Sequence, residues 1–171
     1  MSGKGFQGMI QSNRISTTKE FVVDAEISVK DVDAFFADDE FCHATKPLKY
    51  HATLINKKKF IALEADIQAE LEHACDRCGE SFIRSYAHHV SLKLVEASSF
   101  GTKDEIVLEA DDLDVVTYEN SEIDLEHILL ESLFLEFDEP CLCREDCKGI
   151  CPVCRQNLNE KACNCVVPEF N

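Results

Sequence analysis

From Ile61 to Leu71 every second residue is apolar, and the positions between them carry Glu64, Asp66, Gln68 and Glu70. Strict period two over so many residues predicts a long strand with one face buried and one in water. Tyr50, Ala52 and Leu54 alternate just before it, separated by the polar turn Asn56-Lys57-Lys58-Lys59. After Cys75-Asp76-Arg77-Cys78 the chain runs back through Phe82, Tyr86, Val90, Leu92 and Leu94 on one face. These segments predict an antiparallel meander with the cysteine turn at a hairpin tip. Phe21, Val23, Ala25, Ile27 and Val29 add a further strand, and residues 31–41 read as a short helix or irregular turn. Weak strands fall at residues 106–108 and 115–118. Apolar residues then recur at helical spacing over 122–137, with Ser121 and Asp124 as a box-like start and Pro140 as the stop.

The pattern defines an α+β fold: an antiparallel β-meander, a packed amphipathic helix and a C-terminal cysteine-rich appendage that binds zinc. Residues 1–20 read as a flexible N-terminal segment, 21–140 as the core domain, and 141–171 as the metal-binding segment. Neither a run of about 18 apolar residues nor the apolar block of a signal peptide occurs, so a cytoplasmic location is expected.

Charge is unevenly spread. The formal net charge is −16, and residues 104–140 hold 14 acids without one Lys or Arg. So acidic a chain binds nucleic acid poorly by charge alone, and any RNA contact needs a local basic face. The acidic block reads first as a solvated surface, and otherwise as a site for a basic protein partner.

The chemistry lies in the ten cysteines. Four short-range pairs stand out: Cys75/Cys78, Cys143/Cys147, Cys151/Cys154 and Cys163/Cys165. In a reducing compartment such pairs read as metal ligands. Eight thiolates fill two four-coordinate zinc sites; a single site with unused thiols is the other possibility. One arrangement joins Cys75 and Cys78 to Cys143 and Cys147, and closes the other site locally with Cys151, Cys154, Cys163 and Cys165. Four sulfurs per ion leave no position for water, so such sites are structural. Iron–sulfur ligation and a redox CxxC are the weaker alternatives. Cys42 and Cys141 fit no pair and read as small hydrophobes or spare thiols. His73, two residues before Cys75, is an alternative ligand. His51, His88 and His89 fall on strands with no carboxylate partner suggested. No phosphate-binding loop or catalytic constellation is present, so an enzyme is not expected.

The run from Cys143 to Cys154, followed by Asn157-Leu158-Asn159 and Cys163-Asn164-Cys165, resembles the C-terminal signature of the YceD family. These are bacterial and plastid proteins named for accumulation of large-subunit ribosomal RNA. The resemblance covers roughly residues 48–165. It departs at Arg155, where a Gly commonly follows the CPxC pair, and the first 40 residues lie outside it. It implies a non-enzymatic role in synthesis, processing or stability of large-subunit, 23S-type ribosomal RNA. The partners it implies are that RNA or a pre-ribosomal particle, with a basic ribosomal protein beside it. Candidate RNA contacts are then Lys57, Lys58, Lys59, Arg77, Arg84, Arg144, Lys148 and Arg155. The same bases also serve to offset thiolate charge.

Overall fold

A computed structural model describes residues 8–37, 42–99, 115–137 and 140–166. Its main sheet takes the strand order β2-β4-β5-β6-β7, with β3 also on β5. The strands are β2 (Phe21–Ile27), β3 (Cys42–Ala44), β4 (Leu48–Asn56), β5 (Ile61–Ala74), β6 (Ser81–Glu96) and β7 (Val115–Tyr118). The alternation read in the sequence is the observed burial: Leu63, Ala65, Ile67 and Leu71 are buried, and Glu64, Asp66 and Gln68 are exposed. β4, β5 and β6 form the meander, paired antiparallel.

Two features differ from expectation. β7 lies parallel to β6, with Lys93 opposite Val115, so the sheet is mixed. A parallel neighbour needs a crossover of a dozen or more residues rather than a tight turn, and residues 97–114 are long enough to supply it. The strand expected at 106–108 falls outside the described residues. The other difference lies in the N-terminal segment: β1 (Met9–Gln11) pairs antiparallel with β8 (Glu122–Asp124), and Ile10 and Ile15 are buried. The segment expected to be flexible is therefore tied to the core through β1, Ile10 and Ile15, while residues 17–20 are exposed; residues 1–7 are outside the described set.

Two helices cover the apolar face. α1 (Val29–Phe35) starts at Ser28, whose hydroxyl oxygen accepts the Asp31 N–H at 3.2 Å. α2 (Leu125–Phe134) is shorter than the stretch 122–137. Its cap is Asp124, which accepts the His127 N–H at 3.1 Å. Ser121 has φ +59° beside Asn120 at +54°, so it belongs to the tight turn into β8 instead. Leu125, Leu129, Leu130 and Leu133 are buried against the sheet.

The solvent face of the sheet corrects the histidine reading. Asp24, His51, Asp66 and His89 stand in register across β2, β4, β5 and β6. His51 Nδ1 is 2.6 Å from Asp24, and His89 Nδ1 is 2.8 Å from Asp66 with Nε2 3.2 Å from Glu64. Those carboxylates, chiefly Asp24 for His51 and Asp66 for His89, raise both imidazoles above their ordinary value. A raised folded value stabilises the fold fully below the unfolded value of about 6.5 and is lost as pH climbs through the folded one. Urea midpoints should therefore fall from pH 6 to pH 8 more steeply in the native protein than in His51→Gln/His89→Gln. Equal slopes would remove the row from the stability account.

Candidate metal centre

β5 and β6 extend past the core and carry the Cys75–Cys78 turn at their shared end. Backbone donors build this knuckle: Cys75 N–H bonds to Glu80 O at 3.0 Å and Gly79 N–H to Cys75 O at 2.8 Å. Gly79 has φ +73°, a left-handed conformation that glycine adopts without a steric penalty. The Cys151–Cys154 turn repeats the design. Its residue 155 N–H donates to Cys151 O at 2.8 Å, and the residue is Arg155, with φ +58°. The departure from glycine keeps the turn and accepts its strain, about 1–2 kcal/mol for an L-residue. Less the roughly 0.5–1 kcal/mol that glycine's extra unfolded freedom costs, Arg155→Gly should raise the midpoint of thermal unfolding by roughly 2–4 °C; no rise would mean that the strain does not exceed that cost.

The eight paired sulfurs gather in two groups, Cys75 with Cys78, Cys143 and Cys147, and Cys151 with Cys154, Cys163 and Cys165, each within 4.8 Å. In the first group Cys75 and Cys147 sulfurs are 3.8 Å apart, as are those of Cys78 and Cys143. Disulfides need about 2.05 Å. Two sulfurs each about 2.3 Å from a tetrahedral ion stand about 3.8 Å apart, so the spacing fits zinc. Cys42 and Cys141 belong to neither group. His73 is buried between Phe82, Tyr86 and Phe137, with Nε2 2.9 Å from the Tyr86 hydroxyl, and belongs to neither sulfur group.

Ionisation within each group is divided. Burial pushes the Cys75 thiol up, but the backbone N–H groups of Cys143, Arg77 and Cys78 prevail and bring it down to about 6. Cys151 falls to about 6 through the N–H groups of Cys154 and Val153. Burial and then the neighbouring sulfurs push Cys143 up to about 12; Cys154 and then burial do the same to Cys165. One thiolate raises its neighbours, and a divalent cation removes the conflict by stabilising all four together.

The first group spans the molecule. Cys141 exchanges hydrogen bonds with Asp76, Arg77 Nη1 donates to Cys147 O at 3.0 Å, and Arg84 Nη2 donates to Leu142 O at 2.9 Å. Phe82 and Leu142 pack beside the sulfurs. Arg77 and Arg84, read as RNA contacts, thus clamp the C-terminal lobe to the hairpin tip. Arg144 donates to Asn159 Oδ1 at 2.8 Å and pairs with Asp146 at 3.3 Å. Lys148 and Arg155 are exposed on the lobe. Lys57, Lys58 and Lys59 turn at the far end of β5, fourteen residues and about 45 Å from the sulfurs, and do not share a face with the rest.

Asn159 is the residue the spacing argument passed over. Its Nδ2 donates to Cys147 Sγ at 3.3 Å, while its Oδ1 accepts the Lys148 N–H at 2.7 Å and the Arg144 guanidinium. This amide is the leading cause of a lowered Cys147 pKa, and outer contacts of that kind orient metal ligands. Asn157 holds the Asn159 N–H at 3.0 Å and reaches Glu80 at 3.3 Å. Both fall between Cys154 and Cys163, inside the second group's segment, and their presence in the run that resembles the family was the sequence signal for them.

Fold and site together define a class: an α+β protein whose C-terminal lobe is built around two tetracysteine groups and docked on a hairpin tip. The chain belongs to the family described as large ribosomal RNA subunit accumulation protein YceD, whose profile matches residues 63–171. A relative in Arabidopsis thaliana, large ribosomal RNA subunit accumulation protein YCED homolog 1, chloroplastic, is 29% identical over 143 residues. The match covers 70% of this chain and 44% of the relative, so the chain spans less than half of that relative's length. No solved structure gives a significant match. Among the described residues, no helix is long and apolar enough to cross a membrane.

Proposed function

We propose that this chain is a non-enzymatic factor in the synthesis, processing or stability of large-subunit ribosomal RNA, working in the cytoplasm with two structural zinc ions. The ligands are Cys75, Cys78, Cys143 and Cys147 in one site and Cys151, Cys154, Cys163 and Cys165 in the other. The 3.8 Å sulfur spacing carries the metal reading, and the family name carries the RNA reading. Zinc supplies a rigid cross-link here; every ligand position is a thiolate, so activating water is not its role. On this reading the core domain, β1 included, presents a lobe, 141–171, whose exposed Lys148 and Arg155 meet RNA phosphates while Arg77, Arg84 and Arg144 hold the lobe in place.

The test separates these two sets of bases. Lys148→Glu/Arg155→Glu should weaken association with large-subunit ribosomal RNA several-fold while zinc content and thermal unfolding stay unchanged. Unchanged RNA association in a folded, zinc-loaded variant would sink the RNA-contact reading. The net charge of −16 favours a second reading, in which the chain binds a basic protein and does not touch RNA. Retained RNA accumulation in cells carrying that same variant would support it.

A further inference from the structure

β6 is sixteen residues long, but β7 covers only its stretch from Lys93 to Glu96. Among the described residues, none pairs with the outer edge of β6 over positions 81–92. Sheet edges are normally guarded by Lys, Pro, a bulge or a very short strand. Here the solvent face of that stretch reads Ser81, Ile83, Ser85, Ala87, His89 and Ser91, with neither Pro nor Lys.

The next strand inward decides what could pair there. On the same face, β5 places Glu72 opposite Ile83, Glu70 opposite Ser85, Gln68 opposite Ala87, Asp66 opposite His89 and Glu64 opposite Ser91. Glu70 is shared with Lys46 at 2.9 Å, and Asp66 and Glu64 with His89. Glu72 has no ion-pair partner among the described residues. An added strand would lie about 4.8 Å beyond β6. From there a Lys or Arg stem passes over the short Ser85 side chain to Glu70, or over Ile83 to Glu72, while Ala87 is backed by the neutral Gln68. On the other face half-buried Phe82, Tyr86 and Leu92 pack on the protein's own apolar clusters and alternate with Arg84 and His88, so selection rests on the solvent face.

We propose that the edge of β6 left unpaired among the described residues binds an extended basic polypeptide segment, alternating Lys or Arg with apolar residues, as an added strand of the sheet. Backbone hydrogen bonds supply the pairing, and the acidic spine of β5 supplies the selection for basic side chains. A second copy of this chain is the wrong occupant, because each carries a net −16 and its own acidic spine. The inference deepens the basic-partner arm of the proposed function and is independent of its RNA arm.

The test titrates the full-length, metal-loaded protein with a 12-residue peptide alternating Lys with Val or Thr, and with its Glu-for-Lys counterpart. Amide shifts and slowed hydrogen exchange are followed residue by residue. Expected are changes concentrated at 81–92 with the Lys peptide and at least tenfold weaker binding of the Glu peptide. Ser85→Lys/Ala87→Lys should lose the Lys peptide, whereas Ser85→Glu/Ala87→Glu should keep it; thermal melts check that both variants fold. Changes confined to residues 104–140, equal binding of both peptides, or edge amides already protected in the free protein would overturn the proposal. So would a concentration-dependent dimer abolished by both variants. RNA association of the two variants should be unchanged, so this proposal and the RNA reading fail separately.

Discussion

With one zinc in each cysteine group, as proposed, replacing Cys147 by Ser should cost one of the two ions and detach the C-terminal lobe from the hairpin tip. Cys147 is 4% exposed, and its sulfur lies 3.8 Å from Cys75 across 72 positions of sequence. Losing it leaves three sulfurs, an Asn159 amide facing a hydroxyl instead of a thiolate, and Arg77 holding a carbonyl on a loosened loop. Structural zinc contributes about 10–16 kcal/mol of apparent folding energy in isolated zinc-finger peptides, and even a fraction of that is several kcal/mol here. Cys154→Ser should act more locally, because Cys154 is exposed and its group closes within one short segment. The same contrast sets the order of metal loss: a chelator should take the second ion first, since Cys75, Cys78 and Cys147 are buried and only Cys151 is buried in the other group. Metal analysis and thiol counting along a chelator series read both results. Two ions in Cys147→Ser, or simultaneous loss of both ions from the native protein, would refute the assignment.

Gly149→Ala is expected to be the next most damaging single change, with Gly79→Ala as its control. Both glycines are left-handed, with φ +71° and +73°. An added Cβ at Gly79 meets nothing within 4 Å, so only the backbone penalty of about 1–2 kcal/mol applies. At Gly149 the same carbon would sit 2.9 Å from the Arg77 carbonyl oxygen, a backbone atom that cannot swing away. Pushing Arg77 disturbs the N–H that faces Cys75 and the guanidinium on Cys147 O. Gly149→Ala should therefore unfold at lower temperature than Gly79→Ala and also release zinc more readily to a competing chelator. Equal zinc affinity in the two variants would show that the close approach of the two turns is unimportant.

These two expectations rest on different kinds of knowledge. That Cys75, Cys78, Cys143 and Cys147 are ligand-like was readable from spacing, because two thiolates on one ion must come from a tight turn. That Gly149 touches Arg77 was not readable, because the contact joins turns over 70 positions apart. The histidine row shows the same boundary. Asp66 and His89 are legible as neighbours once the Cys75–Cys78 turn fixes the register of β5 against β6. Without that register they look like unrelated polar residues on separate strands.

The long half-buried strands, the helix stripe and the four cysteine pairs were legible before folding. Each is a short-range pattern enforced by the period of the backbone or by the reach of a turn. That β7 runs parallel, that β1 joins the core, that Arg77, Arg84 and Arg144 serve the lobe, and that no described residue pairs with the outer edge of β6 over 81–92 emerged only from the folded chain. Those outcomes depend on how distant segments meet, and the order of residues along the chain holds no local signal for that.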